Sequence, residues 1–354
     1  MTQSKLYLER IKRLQTALKK EGVDTLFVEA SVDLFYLTGL KLSRGHLFVQ
    51  QKRVHLFVDG RYFEVASKKS PVPVQPLTKE NEHAFLSGSK KLGFDGDQLT
   101  YTGYTLLRKV CTKAKVKSLS KPDLVKDLRL IKDKGEIAKM KKSAAFGFRG
   151  YQYIRRKLKV GISEIELARA LEIYCLKNGA EKMSFEPIIA FGKNTALPHH
   201  HPGKTRLKEN DIALFDLGVV LDGYASDMTR VDFVGKVNPT LRKLYDVNRA
   251  AQKVALAKCR PGVPLKELDI AARRVMASAD LENLFVHTLG HGIGLEVHEH
   301  FRISKEGPDR NIKLEEGMVL TIEPGLYLPG KGGVRYEDTI SITAKGYTNF
   351  YPES

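Results

Sequence analysis

The sequence predicts two domains, an α/β domain over residues 1–126 and an α+β domain over residues 127–354. Three observations carry this reading. Short β-rich runs alternate with helical periodicities through the first third. The pattern changes at Lys121-Pro122, after which a long helical stretch begins. Beyond that stretch the chain mixes strands with two further helices and carries two hairpin signals. A chain of 354 residues, 42% of them hydrophobic, can build one large core or two ordinary ones, and a charged fraction of 28% is that of a globular chain.

In the first third, Leu8, Ile11, Leu14 and Leu18 recur at helical spacing, and Gly22 follows as a stop. Thr25–Val28, His46–Val49 and Val54–Val58 are predicted as strands, Arg61–Ser67 as a helix, Val72–Val74 as extended, and Gly93–Asp95 as the end of another strand. These elements predict a mixed sheet. The long helix that follows runs through Ile137, Met140, Ala144 and Tyr151 to Leu158 and ends at Gly161. Ser163 opens the next helix, with Glu166 three residues on as a capping box, and that helix reaches Gly179. Thr240–Lys258 and Leu265–Ala277 are the two later helices.

The formal net charge of +18, with an isoelectric point near 9.6, raises the possibility of a nucleic-acid-binding protein. The basic residues are scattered through both halves, and no tryptophan is present to stack on bases. A generally basic surface with no specific nucleic-acid partner is therefore expected. Cys111, Cys175 and Cys259 are far apart and form no C-x-x-C pair, which suits a reducing cytoplasm better than a disulfide scaffold. The N-terminal stretch has no apolar core with a cleavage site, and no run approaches the roughly 20 apolar residues of a membrane span, so no membrane association is expected.

Chemistry gathers in the second half. Seven of the ten histidines lie between His199 and His300, which focuses attention on the acids around them. In ALFDLGVVLDGYASDMTRVDF, the Asp222-Gly223 dipeptide between two apolar runs is a hairpin signal. A two-residue turn there places Asp216 opposite Thr229. Asp227 becomes the diagonal neighbour of Asp216 on the same face, about 7–8 Å away. Leu214, Phe215, Leu217 and Met228 flank these acids. Carboxylates in such company need a partner, and a solvated hairpin face is the weaker explanation.

Glu323 and Glu337, in LTIEPGLYLPGKGGVRYEDTISI, are symmetric about Gly330 in a Gly-rich loop between two β-rich runs. A second hairpin would bring them to one face. Either cations or a salt bridge to Arg335 would account for two such acids. His287, His291 and His298 fall in HTLGHGIGLEVHEH, where glycines at 290, 292 and 294 allow close backbone approach. His291 can supply a nitrogen ligand. Four carboxylates and one imidazole suit Mn²⁺, Co²⁺, Fe²⁺ or Zn²⁺, and two such ions about 3.5–4 Å apart activate a water. The absence of cysteine from the set argues against a structural zinc site.

The strings FDLGVVLDGYASDMTR, HTLGHGIGLEVHE, GMVLTIEPGLY and GGVRYEDT resemble those of the pita-bread metallopeptidases, in the aminopeptidase P and prolidase branch. DLFYLTG at 33–39 and VDGRYFEVA at 58–66 extend the resemblance to the N-terminal third, which methionine aminopeptidases of the same fold do not have. The resemblance implies a creatinase-like N-terminal domain and a pita-bread catalytic domain, with the metals on the inner face of a curved antiparallel sheet. It implies a dinuclear, proline-directed hydrolase in which Asp216, Asp227, His291, Glu323 and Glu337 hold two divalent ions, Mn²⁺ foremost. Asp227 and Glu337 would bridge both, and Glu323 would take a proton from the attacking water. His199 matches the catalytic histidine 17 residues before the first metal aspartate, and His287 and His298 match histidines that contact substrate and steady the tetrahedral intermediate. Phe185 and Ile188 match positions lining a proline pocket, and Arg335 matches an arginine beside the last ligand. Arg302, 11 positions after His291, matches the arginine with which prolidases bind the free carboxylate of an Xaa-Pro dipeptide. The proline usual before it is Phe301 here. Xaa-Pro dipeptidase and Xaa-Pro aminopeptidase both remain open at this point. Proline-containing peptides are the expected partners, a cytoplasmic homodimer is the expected form, and a catalytically inactive relative of the fold is the alternative.

Overall fold

A computed structural model describes residues 3–121 and 124–352. One compact unit ends at Arg129 and a second begins at Leu130. This division falls within the short helix Lys126–Leu130, at whose start the sequence-based boundary lies. Pro122 of the expected chain break lies outside the described residues.

The first unit is built on a six-stranded mixed sheet. Its central strand Thr25–Val28 pairs antiparallel with His46–Gln50 and parallel with Lys91–Phe94. Val54–Val58 and Val74–Pro76 extend one side, and Lys117–Ser120 extends the other. The first helix, Gln3–Lys20, buries Ile11, Leu14 and Leu18, as their spacing requires. Leu8, expected in the same stripe, is 40% exposed, because the buried arc is narrower than the apolar one. The extended segment expected at Val72–Val74 forms its strand two residues later. Helices Ser31–Thr38, Lys79–Leu86 and Tyr101–Ala114 were not evident from apolar spacing.

The second unit begins with helix Lys134–Arg155, whose start is fixed by an Asp133/Glu136 capping box. It ends three residues before the expected Leu158. The Ser163/Glu166 capping box opens Glu164–Lys177 as the sequence predicts. The two later helices are Pro239–Lys258 and Leu265–Ala277.

Two hairpins form the centre of this unit. Strand Ile212–Leu217 pairs with Met228–Phe233, placing Asp216 opposite Thr229. The same register continues in Val219–Leu221 against Tyr224–Ala225, closed at Asp222 and Gly223, whose φ values of 52° and 82° are those of a type I′ turn. In the second hairpin Val319–Ile322 pairs with Asp338–Ile342, and Gly325–Leu328 with Gly332–Arg335. Ile322 opposes Asp338 and Gly325 opposes Arg335, so one register puts Glu323 across from Glu337. An antiparallel bridge from Thr229 to Glu337 joins the hairpins, and Gly290–Gly292 lies beside Val319–Ile322.

The two-residue period of a strand then sorts the side chains. Phe215 and Leu217 enter a core with Ala144, Phe146 and Leu171, leaving Asp216 on the other face. Leu320, Ile322 and Val334 enter a core with Leu244, Leu268 and Met276 of the two later helices, leaving Thr321, Glu323, Arg335 and Glu337 on the opposite face. Among the described residues no helix is long and apolar enough to cross a membrane.

Backbone crowding fixes the crossover between the two parts of the first hairpin. A Cβ on Gly218 would sit 1.8 Å from the Ser226 carbonyl oxygen. Gly218→Ala must therefore displace the segment leading into Asp227. It is expected to cost about 3 kcal/mol of stability, read from the urea midpoint, whereas Gly161→Ala meets no atom within 4 Å and loses only what its positive φ demands.

Candidate metal centre

A cavity of about 680 Å³ opens between the two hairpins and the segments 185–201 and 286–302. All twelve candidate site residues line it. Asp216, Asp227, His291, Arg335 and Glu337 are buried, Glu323, His287 and Phe185 are partly buried, Ile188 is 9% exposed, and His199, His298 and Arg302 face solvent. Ile188 stands opposite Asp216 across the neighbouring strand pair, and Arg302 stands opposite His291.

Within this cavity Asp227, His291 and Glu337 each direct a ligand atom to one place, all within 4.8 Å of one another. His291 Nε2 lies 3.4 Å from Glu323 Oε1 and 3.6 Å from Asp227 Oδ2. Its Nδ1 is 3.1 Å from the Gly292 carbonyl, which can only accept, so Nδ1 carries the proton. Burial holds the ring neutral, its pKa pushed down to about 3, and the nearby His298 adds to that. The Nε2 lone pair therefore points at two carboxylates. With the carboxylates charged, that arrangement is repulsive and a cation between them relieves it, and a ligating histidine commonly anchors its second nitrogen on a carbonyl in this way.

The carboxylates tell the same story. Asp216 Oδ1, Asp227 Oδ1 and Glu337 Oε1 are buried with no hydrogen-bond partner among the described residues. Burial, then the neighbouring acids Glu337, Asp216 and Glu323, raises the Asp227 carboxyl well above its usual range. Glu337 is raised by burial and by Glu323 and Asp216. Burial pushes Glu323 up to about 8, against the pull of Arg335. Unpartnered oxygens on clustered, buried acids are the donors a divalent cation takes, so these residues fit divalent metal ions.

Arg335 does not neutralise the two glutamates, the other explanation open from the sequence. Its guanidinium bonds Asp216 Oδ2 at 2.5 Å, the Tyr327 hydroxyl at 2.7 Å and Thr229 Oγ1 at 3.1 Å. Thr229 in turn donates to Glu337 Oε2 at 2.8 Å. Tyr327 also meets His287 Nε2 at 3.0 Å, and burial beside Arg335 lowers the His287 pKa to about 4. Sequence reasoning missed Tyr327 and Thr229. The two hairpin registers carry the signal for both, since Thr229 stands opposite Asp216 and Tyr327 lies four positions after Glu323 on the same strand face. His200 bonds the fully buried Glu164 at 2.9 Å, and His201 pairs with Glu186 at the surface. Tyr224 packs in the core with its hydroxyl 3.0 Å from Glu136.

Residues 138–344 match Metallopeptidase family M24, and residues 10–131 match the Creatinase/Prolidase N-terminal domain. The chain belongs to metallopeptidase family M24. Within the M24 relatives, an Xaa-Pro dipeptidase of Pyrococcus furiosus is 36% identical over 341 residues, covering 96% of each chain. The prolidase structure from Pyrococcus horikoshii superimposes with a TM-score of 0.91 at 33% identity, covering 98% of this chain and 99% of that one. An Xaa-Pro dipeptidase structure from Bacillus anthracis does so at 0.93 and 31%, with the same coverage. The M24 assignment brings with it divalent metal ions and the pita-bread fold anticipated from the sequence strings. One local departure from the expected pattern has a physical cause. Phe301 has φ 80°, which a proline ring locked near −65° cannot reach, so the backbone entering Arg302 excludes the proline usual there.

The raised carboxyls predict how the metal-free protein responds to pH. Glu323 is protonated up to about pH 8 when folded but only to about 4.5 when unfolded, and Asp227 and Glu337 shift in the same direction. The folded state then binds more protons, so their contribution is complete below pH 4.5 and is lost as pH rises toward 8. His287 and His291, shifted down, act oppositely but only below their usual value of 6.5. Between pH 6.5 and 8 the urea midpoint of chelator-treated protein is therefore expected to fall. A rise across that window would contradict the buried cluster.

Proposed function

We propose that the protein is a cytoplasmic metallo-exopeptidase that cleaves the bond preceding proline and acts as an Xaa-Pro dipeptidase. The observation that carries this is the convergence of a neutral imidazole and unpartnered buried carboxylates in a cavity that also presents Arg302. The names of the M24 relatives, Xaa-Pro dipeptidase and prolidase, supply the substrate class.

In this reading Asp216, Asp227, His291, Glu323 and Glu337 hold two divalent cations, Mn²⁺ being our assignment among the ions such donors accept. When bound, the ions supply Lewis acidity and lower the pKa of a water held at the site. Glu323 accepts a proton from the attacking water as the water oxygen bonds to the scissile carbonyl carbon, and delivers that proton to the proline nitrogen as the C–N bond breaks. Because that nitrogen bears no N–H, recognition falls to the shape of the proline ring, for which half-buried Phe185 and buried Ile188 form the apolar wall. His199, His287 and His298 line the cavity where the carbonyl oxygen would gain charge. Arg335 fixes Asp216 and the Tyr327 hydroxyl, and so holds one ligand and one substrate-facing histidine in register. The Arg302 guanidinium takes the free carboxylate of the dipeptide. We further infer a homodimer, on the resemblance to prolidases. The buried, unpaired thiols of Cys111, Cys175 and Cys259 support a reducing compartment.

The test is hydrolysis of an Xaa-Pro dipeptide and an Xaa-Pro-Xaa tripeptide by metal-stripped protein resupplied with Mn²⁺. Cleavage of the dipeptide is expected, with Glu323→Ala reducing it about 10³-fold. Arg302→Ala is expected to raise KM for the dipeptide about tenfold or more, the loss of a charged hydrogen bond, with little change for the tripeptide. Preferential cleavage of the tripeptide would make the enzyme an Xaa-Pro aminopeptidase and leave Arg302 without this role.

A further inference from the structure

Asp227 sits just where the first hairpin leaves its ladder. The pairing with Ile212–Leu217 begins only at Met228, and the preceding residues pair in a different sheet. Its backbone carbonyl is instead held by two side chains. Tyr351 donates to it at 2.7 Å and Thr339 at 2.9 Å, which uses both lone pairs. Tyr351 lies beyond the last strand, Tyr347–Asn349, which pairs with Asp338–Ile342. Its ring is 4% exposed, packed near Phe148 with the Arg230 guanidinium 5.4 Å away.

The same segment reaches the second bridging acid. Asn349 Nδ2 donates to Asp338 Oδ2 at 3.0 Å, and Asn349 Oδ1 accepts from the Tyr351 backbone N–H. Asp338 Oδ1 accepts from Arg230, whose other nitrogen donates to the Glu337 carbonyl at 2.6 Å. The backbones of Asp227 and Glu337 are thus tied to Asn349 and Tyr351, 12 residues or more from Glu337 and over a hundred from Asp227.

We propose that segment 347–351 is a latch on the metal centre: Tyr351 and Asn349 are positioning residues that set the Asp227 and Glu337 carboxylates, and metal occupancy and docking of the segment strengthen each other. This rests on the metal reading given above. The coupling is reciprocal because any affinity that docking adds to the metal, the metal must return to docking. Partners at this remove from a metal commonly change its affinity about 10- to 100-fold.

The test compares wild type, Tyr351→Phe, Asn349→Ala and Asp227→Asn, each stripped of metal and titrated with Mn²⁺ alone in a calorimeter. Tyr351→Phe keeps the ring and its packing and removes only the donor. It is expected to weaken Mn²⁺ binding about tenfold and to shrink the rise in thermal midpoint that Mn²⁺ causes. A purely structural role would lower the midpoints with and without metal equally. In the wild type, Mn²⁺ is expected to slow amide exchange of residues 349–351 at least several-fold. Wild-type affinity in Tyr351→Phe, or exchange of that segment unchanged by Mn²⁺, would overturn the latch while leaving the metal centre standing. Failure of the wild type and Asp227→Asn alike to take up Mn²⁺ would overturn the metal reading and the latch together.

Discussion

Acidic oxygens crowded into a cavity without matching cations are the constraint around which the catalytic unit is arranged. Arg335 engages Asp216, and the His291 lone pair faces Glu323 and Asp227 rather than relieving them. Left alone, such a cluster protonates, as the raised carboxyls of Asp227, Glu323 and Glu337 describe. It stays charged only if cations occupy its centre. On the proposed reading the ions are therefore part of the packing as well as of the chemistry, and metal affinity and folding stability share one origin.

The fold serves that constraint by geometry rather than by composition. Strand periodicity sends Phe215, Leu217, Leu320, Ile322 and Val334 into two cores and leaves the acids between on the cavity face. The bridge between Thr229 and Glu337 then locks one hairpin to the other. Hydrogen bonds behind the sheet, from Arg230, Thr339 and Tyr351, fix the two backbones that local pairing leaves loose. The side chains of Asp216 and Glu337 are held as well, by Arg335 and Thr229, so these acids have little room to move.

Much of this was legible along the sequence. The Asp222-Gly223 turn and the symmetry about Gly330 are local signals, and each fixes a register that carries its two acids to one face. Capping at Ser163 was legible for the same reason. What escaped depends on distant partners. Helix Ser31–Thr38 is buried on so many sides that no apolar stripe stands out, and the arc that exposes Leu8 is set by what the first helix packs against. Tyr327, Arg230 and Tyr351 look like ordinary strand or terminal residues until His287, Asp338 and Asp227 arrive from elsewhere in the chain. The φ of Phe301 belongs to a bulge between His291 and Gly292, and register shifts of that kind have no local residue signature here.

The most direct test of the central claim is a metal count. After incubation with Mn²⁺ and exhaustive dialysis, elemental analysis of the wild-type chain should give two ions per chain, and Asp227→Asn should give fewer. A wild-type chain that retains none, with its thermal midpoint unchanged by added Mn²⁺, would contradict the account, because the buried acids would then be neutralised by protons alone.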